Sequence, residues 1–405
     1  MSASGAADWP RLSRGLYSVA MAMFLVTVAI GIVNGLDLVD FSPPEMRNTL
    51  LTHVHSGTLG WITLAIVATA FWLVRTGDRA LAWAFGIVVP IYVIAFYSGN
   101  YPARAITGTA LLVLIVWLLA WVWRLALERR SLPTLAVALG LTTFTYGALI
   151  GVLLQIQFAT GKNLFPAGGD AIGAHAATMA FGYLVLVAMG FVEWRLKGTL
   201  DRPRLGVVQV GALFLGAIVL AVALLFLGDQ GVQAAGGVNL LLTLVAIVVF
   251  VVRVGPIALR TDWLAARPSR HVHVAAIFVV VAAALFMYVI FLFITTADPS
   301  KIPTGVLTAF DHSVFIGVMT NLILGMTLTL AADRADRWPW AGQVVFWVVN
   351  VGLVIFLAGL VAASPEIKRI GAPTMGIGIL LGLATVAVRL WSSDLSAAAE
   401  ESPGT

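Results

Sequence analysis

The sequence contains no cysteine. That absence removes disulfides, iron–sulfur clusters, haem attached through a Cys-x-x-Cys-His thioether and palmitoylation. Charge is almost as scarce: 11% of the 405 residues are charged and 60% are hydrophobic, whereas a soluble domain carries about 25% charged residues. Histidine occurs only six times. The metal ligands that remain are histidine, carboxylate and methionine.

Long apolar runs take the place of charge. Reading for stretches of about 18 to 25 apolar residues, one bilayer thickness, gives twelve spans, near 16–36, 52–74, 80–98, 105–123, 132–157, 171–193, 205–227, 236–252, 272–295, 305–331, 341–362 and 373–391. The fold class expected is therefore all-α, a polytopic twelve-helix transmembrane bundle. Cytoplasmic loops retain Lys and Arg. With the N-terminus inside, six of the 24 basic residues fall outside (Arg47, Arg104, Lys162, Lys301, Lys368 and Arg369) and 18 fall inside. Both termini are then expected in the cytoplasm of a bacterial-type inner membrane, and the net charge of +5 reflects topology and needs no nucleic-acid partner. The divisions expected are a cytoplasmic segment 1–15, a transmembrane domain 16–391 and a flexible cytoplasmic tail 392–405 rich in Ser, Ala and Glu. The first span follows two arginines without a small-residue cleavage site, so it reads as a retained helix. With no loop beyond about 20 residues, chemistry has to occur inside the bundle. Gly31/Gly35, Gly147/Gly151 and Gly378/Gly382 show G-x-x-x-G spacing, which signals close helix packing.

The histidines are unevenly placed. His53 and His55 open span 2 within Thr52-His53-Val54-His55-Ser56-Gly57-Thr58-Leu59-Gly60-Trp61, His175 lies one turn into span 6, and His312 lies about two turns into span 10. All three spans run from outside to inside, so four histidines share one depth. His271 and His273 open span 9 on the opposite side, beside Arg267 and Arg270, and read as an interfacial basic edge. A single interfacial histidine is as readily a hydrogen-bonding residue as a ligand. Imidazoles at one depth on three helices are what a membrane haem or metal needs. His53 and His55 point about 200° apart on a helix, so one ligates while the other caps the helix, holds a haem propionate or reaches a second cofactor. His55 is favoured as the ligand because it lies deeper, ahead of Gly57 and Gly60, where a flat macrocycle could approach the backbone. Asn34, Tyr146, Gln155, Gln157, Tyr183, Asn239, Asn321 and Asn350 read as interhelical glue, Asp311 as a group that orients His312, and Glu193 with Trp194 as interfacial anchors.

These features resemble subunit I of the haem–copper oxidase superfamily. The His-x-His-x-x-x-x-Gly-Trp run and Phe310-Asp311-His312-Ser313-Val314-Phe315-Ile316-Gly317 are similar to the branch containing cbb-type oxidases, nitric oxide reductase and the NnrS nitric-oxide-response proteins. The resemblance implies a pseudo-threefold bundle and a low-spin haem b between a helix 2 and a helix 10 histidine, mapping onto His55 (or His53) and His312, with His175 at the copper position. It also implies ligands that this chain lacks. Positions 310 and 314 are Phe310 and Val314, span 7 has no histidine, and Met179 stands where some oxidases carry tyrosine. A copper left with one of three imidazoles has lost most of its chelation. The function expected is therefore that of a haem b protein of electron transfer or NO handling, with a quinol, a cytochrome or another membrane subunit as partner, rather than oxygen reduction. A secondary transporter using membrane histidines and a haem-free scaffold subunit are the alternatives. Against the transporter, acidic residues lie nearly all in loops and no six-helix repeat is visible.

Overall fold

A computed structural model describes residues 8–41, 43, 46–296, 301–334 and 337–395. Among these residues there is no strand, and twelve helices are long and apolar enough to cross a membrane. They are α1 (Trp9–Gly35), α2 (Arg47–Val74), α3 (Arg79–Tyr97), α4 (Tyr101–Arg129), α5 (Leu132–Thr160), α6 (Ala171–Lys197), α7 (Arg204–Phe226), α8 (Asp229–Ala258), α9 (Ser269–Thr296), α10 (Thr304–Leu330), α11 (Ala341–Val361) and α12 (Pro365–Ser392). Several outrun their apolar spans because polar caps extend them. Asp78, Asn100, Ser131, Asp170 and Ser364 each accept a hydrogen bond from a first-turn N–H, which satisfies a donor that the helix leaves orphaned.

Three helices form a hub. The apolar windows of α2, α6 and α10 are 83%, 78% and 89% buried, while those of the other nine lie between 28% and 56%. The cause is legible in α2, where every residue of Leu64–Val74 is buried. A helix apolar on all sides has to be surrounded, and Ala65, Ala68 and Ala70 let its neighbours close in. Each hub helix also departs from α geometry just below its histidine. Wider π-helical turns run through Ser56–Thr63, Ala180–Val185 and Ser313–Thr320. The hydroxyls of Thr63 and Thr320 fill the loosened ladder, donating five residues back to the carbonyls of Thr58 (2.9 Å) and Phe315 (2.8 Å). The same two hydroxyls accept from Tyr183 of α6 (3.1 Å) and Trp61 of α2 (3.0 Å), respectively. The hub is stitched together where its helices are irregular.

Polar residues at the arginine-rich side are buried more deeply than expected. Glu193 is no surface anchor. Arg253 of α8 donates to it through both terminal nitrogens, one at 2.9 Å, and also to Gln209 of α7 at 2.9 Å, with side-chain exposures of 5% for Glu193 and 7% for Arg253. His271, expected at a basic edge, is buried, because its Nδ1 bonds Asn321 Oδ1 at 3.0 Å and Asn321 pairs reciprocally with Asn350 of α11. Asn321 and Asn350 thus do serve as glue. Ser393 and Asp394 are tied to Asp333, and Arg14 donates to the Ser393 carbonyl. Residues 1–7 of the expected N-terminal segment and 396–405 of the expected tail lie outside the described residues.

Arg253→Met removes the two-nitrogen partner of buried Glu193, leaving only Lys197 at 3.8 Å, and is expected to cost up to about 3 kcal/mol of stability, read as a lowered Tm in detergent. A wild-type Tm would contradict the buried pair. At the opposite end, Asp37 accepts from Lys368 (2.6 Å) and Arg369 (3.0 Å) of α12. The Lys368 hydrogen bond first, then that of Arg369 and the charge of both, hold its carboxyl below the usual range. A depressed carboxylate contributes its stability above its unfolded pKa, about 4, and loses it as pH falls through the lower folded value. Fluorescence or spin-label distances between the α1–α2 loop and α12 should lengthen below about pH 4 in the wild type, and should be lengthened at every pH in Asp37→Asn.

Candidate functional site

The four histidines on hub helices fall into two pairs. His53 lies within electrostatic reach of His312, and His55 within reach of His175. Positions i and i+2 on α2 diverge, so the two imidazoles of the opening run serve different neighbours. His53 turns toward α1, its Nδ1 bonding the Thr27 carbonyl at 2.9 Å. His55 turns toward α3, stacking on Phe96 at 3.7 Å between centroids, with Tyr92 meeting it edge-on.

Glycines seat these rings. A Cβ at Gly31 would come within 3.0 Å of His53 Cε1, and one at Gly151 within 3.0 Å of His175 Cε1. The G-x-x-x-G pairs of α1 and α5 are thus more than a sign of tight packing. They are notches for imidazoles, and that of α5 also supplies the Gly147 carbonyl that His175 Nδ1 bonds at 2.8 Å. Gly57 and Gly60 open no slot, because α1 fills both positions: a Cβ would meet Thr27 at Gly57 and Met23 at Gly60.

All four rings share one hydrogen-bonding state. His55 bonds the Leu51 carbonyl at 2.7 Å and His312 the Thr308 carbonyl at 2.9 Å, each through Nδ1. A carbonyl only accepts, so Nδ1 carries the proton, and the neutral ring presents Nε2 as a bare lone pair. A backbone carbonyl behind the other nitrogen is the arrangement that orients a ligating histidine. It is Thr308, and not Asp311, that orients His312.

His55 and His175 open into one cavity of ≈ 280 Å³ between α2, α4, α5 and α6. Its walls are mainly apolar, including Leu59, Leu111, Phe144, Met179 and Phe315. Gly108 and Gly151 thin the wall from α4 and α5, and a Cβ at Gly108 would press on Tyr92 at 3.1 Å. Asp311 of α10 also lines the cavity, so a carboxylate does stand inside the bundle. His312 faces away, with Phe356 edge-on at 5.0 Å.

Sequence reasoning missed Arg104, placing it in an outer loop. It is 1% exposed and is solvated by neutral oxygens: the Ala95 carbonyl (3.3 Å), Asn48 Oδ1 (2.7 Å) and the Phe96 carbonyl. Its guanidinium sits 4.5 Å from the Phe96 ring centroid. The Phe96 ring therefore has His55 stacked on it and a buried cation beside it. The signal was its position five residues after Gly99, within the first turn of α4, where a long side chain folds back toward the preceding helix end.

Tyr183 and Thr63 line the same cavity and hold α6 to α2. Thr63→Val is expected to strand the buried Tyr183 hydroxyl and to cost about 1–3 kcal/mol, while Thr63→Ser keeps most of the stability. Equal thermal stability of the two variants in detergent would contradict that link. Compared with protein-family models and with curated proteins, the chain matches none.

Proposed function

We propose that the chain is an integral membrane haem b protein, the iron held between His55 of α2 and His175 of α6, serving electron transfer or the handling of a diatomic gas such as NO. The observation that carries this reading is the pair of imidazoles, each with a bare Nε2, on one apolar cavity. Neutral imidazole is a preferred axial ligand of haem iron, and the mainly apolar walls suit a flat hydrophobic group. Gly108 and Gly151 let Tyr92 and His175 sit close against α4 and α5, and Arg104, a cation buried beside Phe96, suits the carboxylates that haem carries. Bound there, haem supplies a one-electron couple or an iron that takes a gas ligand.

The resemblance implies α2 with α10. We favour α2 with α6, because α10 presents Asp311 and Phe315 to the cavity while His312 turns to Phe356 and lies near His53. The His53–His312 pair is the remaining candidate for a second iron or a copper. Among the described residues no three His, Cys, Asp or Glu side chains are grouped so that they could hold one metal ion, so a copper there would rest on two imidazoles, and oxygen reduction is not part of the proposal.

The membrane assignment rests on charge. We assign the arginine-rich side, and with it both termini, to the cytoplasm of a bacterial-type inner membrane, and read the recurrence of hub helices at every fourth position as a pseudo-threefold bundle. A quinol, a cytochrome or a further membrane subunit then serves as electron partner. Asp311 favours a second reading, a proton-coupled carrier, since a carboxylate beside two histidines in a membrane cavity also suits ion transport.

Optical spectra separate the two. Protein made with ample haem and purified in detergent should show a Soret band and sharpened visible bands on dithionite reduction. His55→Ala or His175→Ala should remove the low-spin spectrum, and His273→Ala should leave it intact. A colourless wild-type protein would overturn the haem reading and favour the carrier.

A further inference from the structure

A second cavity lies on the outside of the bundle, far from the histidines. It is a groove of ≈ 550 Å³ between α1 and α3 at the end where both helices begin and α12 finishes. Arg11 and Arg79 stand at its polar end with Asp8, a net positive charge, and two exposed tryptophans, Trp83 and Trp391, flank it. From there it runs along Gly15 to Val19 on α1 and along Ala82 to Ile87 on α3. Eight residues separate Arg11 from Val19 and Arg79 from Ile87, so the groove passes from charge to hydrocarbon over about 12 Å.

Its floor is unfilled by protein. A Cβ built at Gly15 or Gly86 meets nothing within 4 Å. Most bundle glycines differ, since Gly35, Gly60, Gly140 and Gly352 would each clash with a neighbouring helix. Gly15 and Gly86 therefore do not serve helix contact, and both cost helical stability relative to Ala.

We propose that the α1–α3 groove is a binding site for one anionic phospholipid, its phosphate on Arg11 and Arg79 and an acyl chain along Gly15 and Gly86. Two guanidiniums against one carboxylate select an anion. Tryptophan at the headgroup level marks the bilayer interface, and the apolar floor below it gives the chain a place that free phosphate cannot use. An uncharged quinone would leave the arginines without a partner.

Native mass spectrometry of the purified full-length protein, titrated with phosphatidylglycerol or phosphatidylcholine, tests this. The wild type should bind phosphatidylglycerol at least tenfold more tightly than phosphatidylcholine, and excess inorganic phosphate should not displace it. Gly86→Leu extends a side chain into the groove from a position where a Cβ meets nothing within 4 Å and should weaken phosphatidylglycerol binding at least tenfold, as should Arg11→Gln combined with Arg79→Gln. Gly211→Leu, at another glycine with open space on α7, should change nothing. Equal affinity for the two lipids, unchanged binding in Gly86→Leu, displacement by inorganic phosphate, or displacement by a short-chain quinone would each overturn the proposal. None of these readouts depends on haem, so the lipid site and the haem site stand or fall separately.

Discussion

The arrangement depends on a backbone constraint at the centre of the bundle. In hydrocarbon an unpaired carbonyl or N–H is costly, so irregular backbone persists only where something else satisfies it. The three hub helices widen into π-turns directly beneath their histidines, and threonine hydroxyls take up loosened carbonyls, those of Thr63 and Thr320 within α2 and α10 and that of Thr143 on Gly182 of α6, while a phenol and an indole donate to the first two of these hydroxyls. Such turns gather at functional sites because they shift the register of a helix face without breaking it. Here the shift falls between the histidines and the packed core, so ring positions and core packing are set separately.

The histidines extend the same constraint. Each of the four hub rings spends Nδ1 on a carbonyl that helix geometry or a glycine notch makes available, and each is left with one bare nitrogen. The divergence of His53 and His55 then divides four rings into two pairs, of which one borders an open apolar cavity. Asp311 of α10 brings an acid to the cavity, and Arg104 of α4 stands behind Phe96 nearby.

Much of the fold was legible in the sequence because hydrocarbon thickness fixes span length, and the twelve apolar runs became twelve helices. The placing of four histidines on the second, sixth and tenth helices was legible too, from span number alone. Which ring meets which was not. That depends on helix rotation, which the π-turns alter and which no run of apolar residues records. Gly57 and Gly60 looked like a gap, but Thr27 and Met23 of α1 occupy it. Glu193 and His271 looked interfacial because they sit near span ends, yet Arg253 and Asn321, distant in sequence, draw them inside. Gly147 and Gly151, read only as packing glycines, were the better pointer to His175.

We propose one iron between His55 of α2 and His175 of α6. Electron paramagnetic resonance of the oxidised protein addresses it most directly, because two imidazole ligands give a low-spin ferric signal distinct from that of an imidazole–thioether pair. A bis-imidazole signal is expected in the wild type, replaced by a histidine–methionine signal in His175→Met and retained in His312→Met. A signal lost in His312→Met and untouched in His175→Met would contradict it.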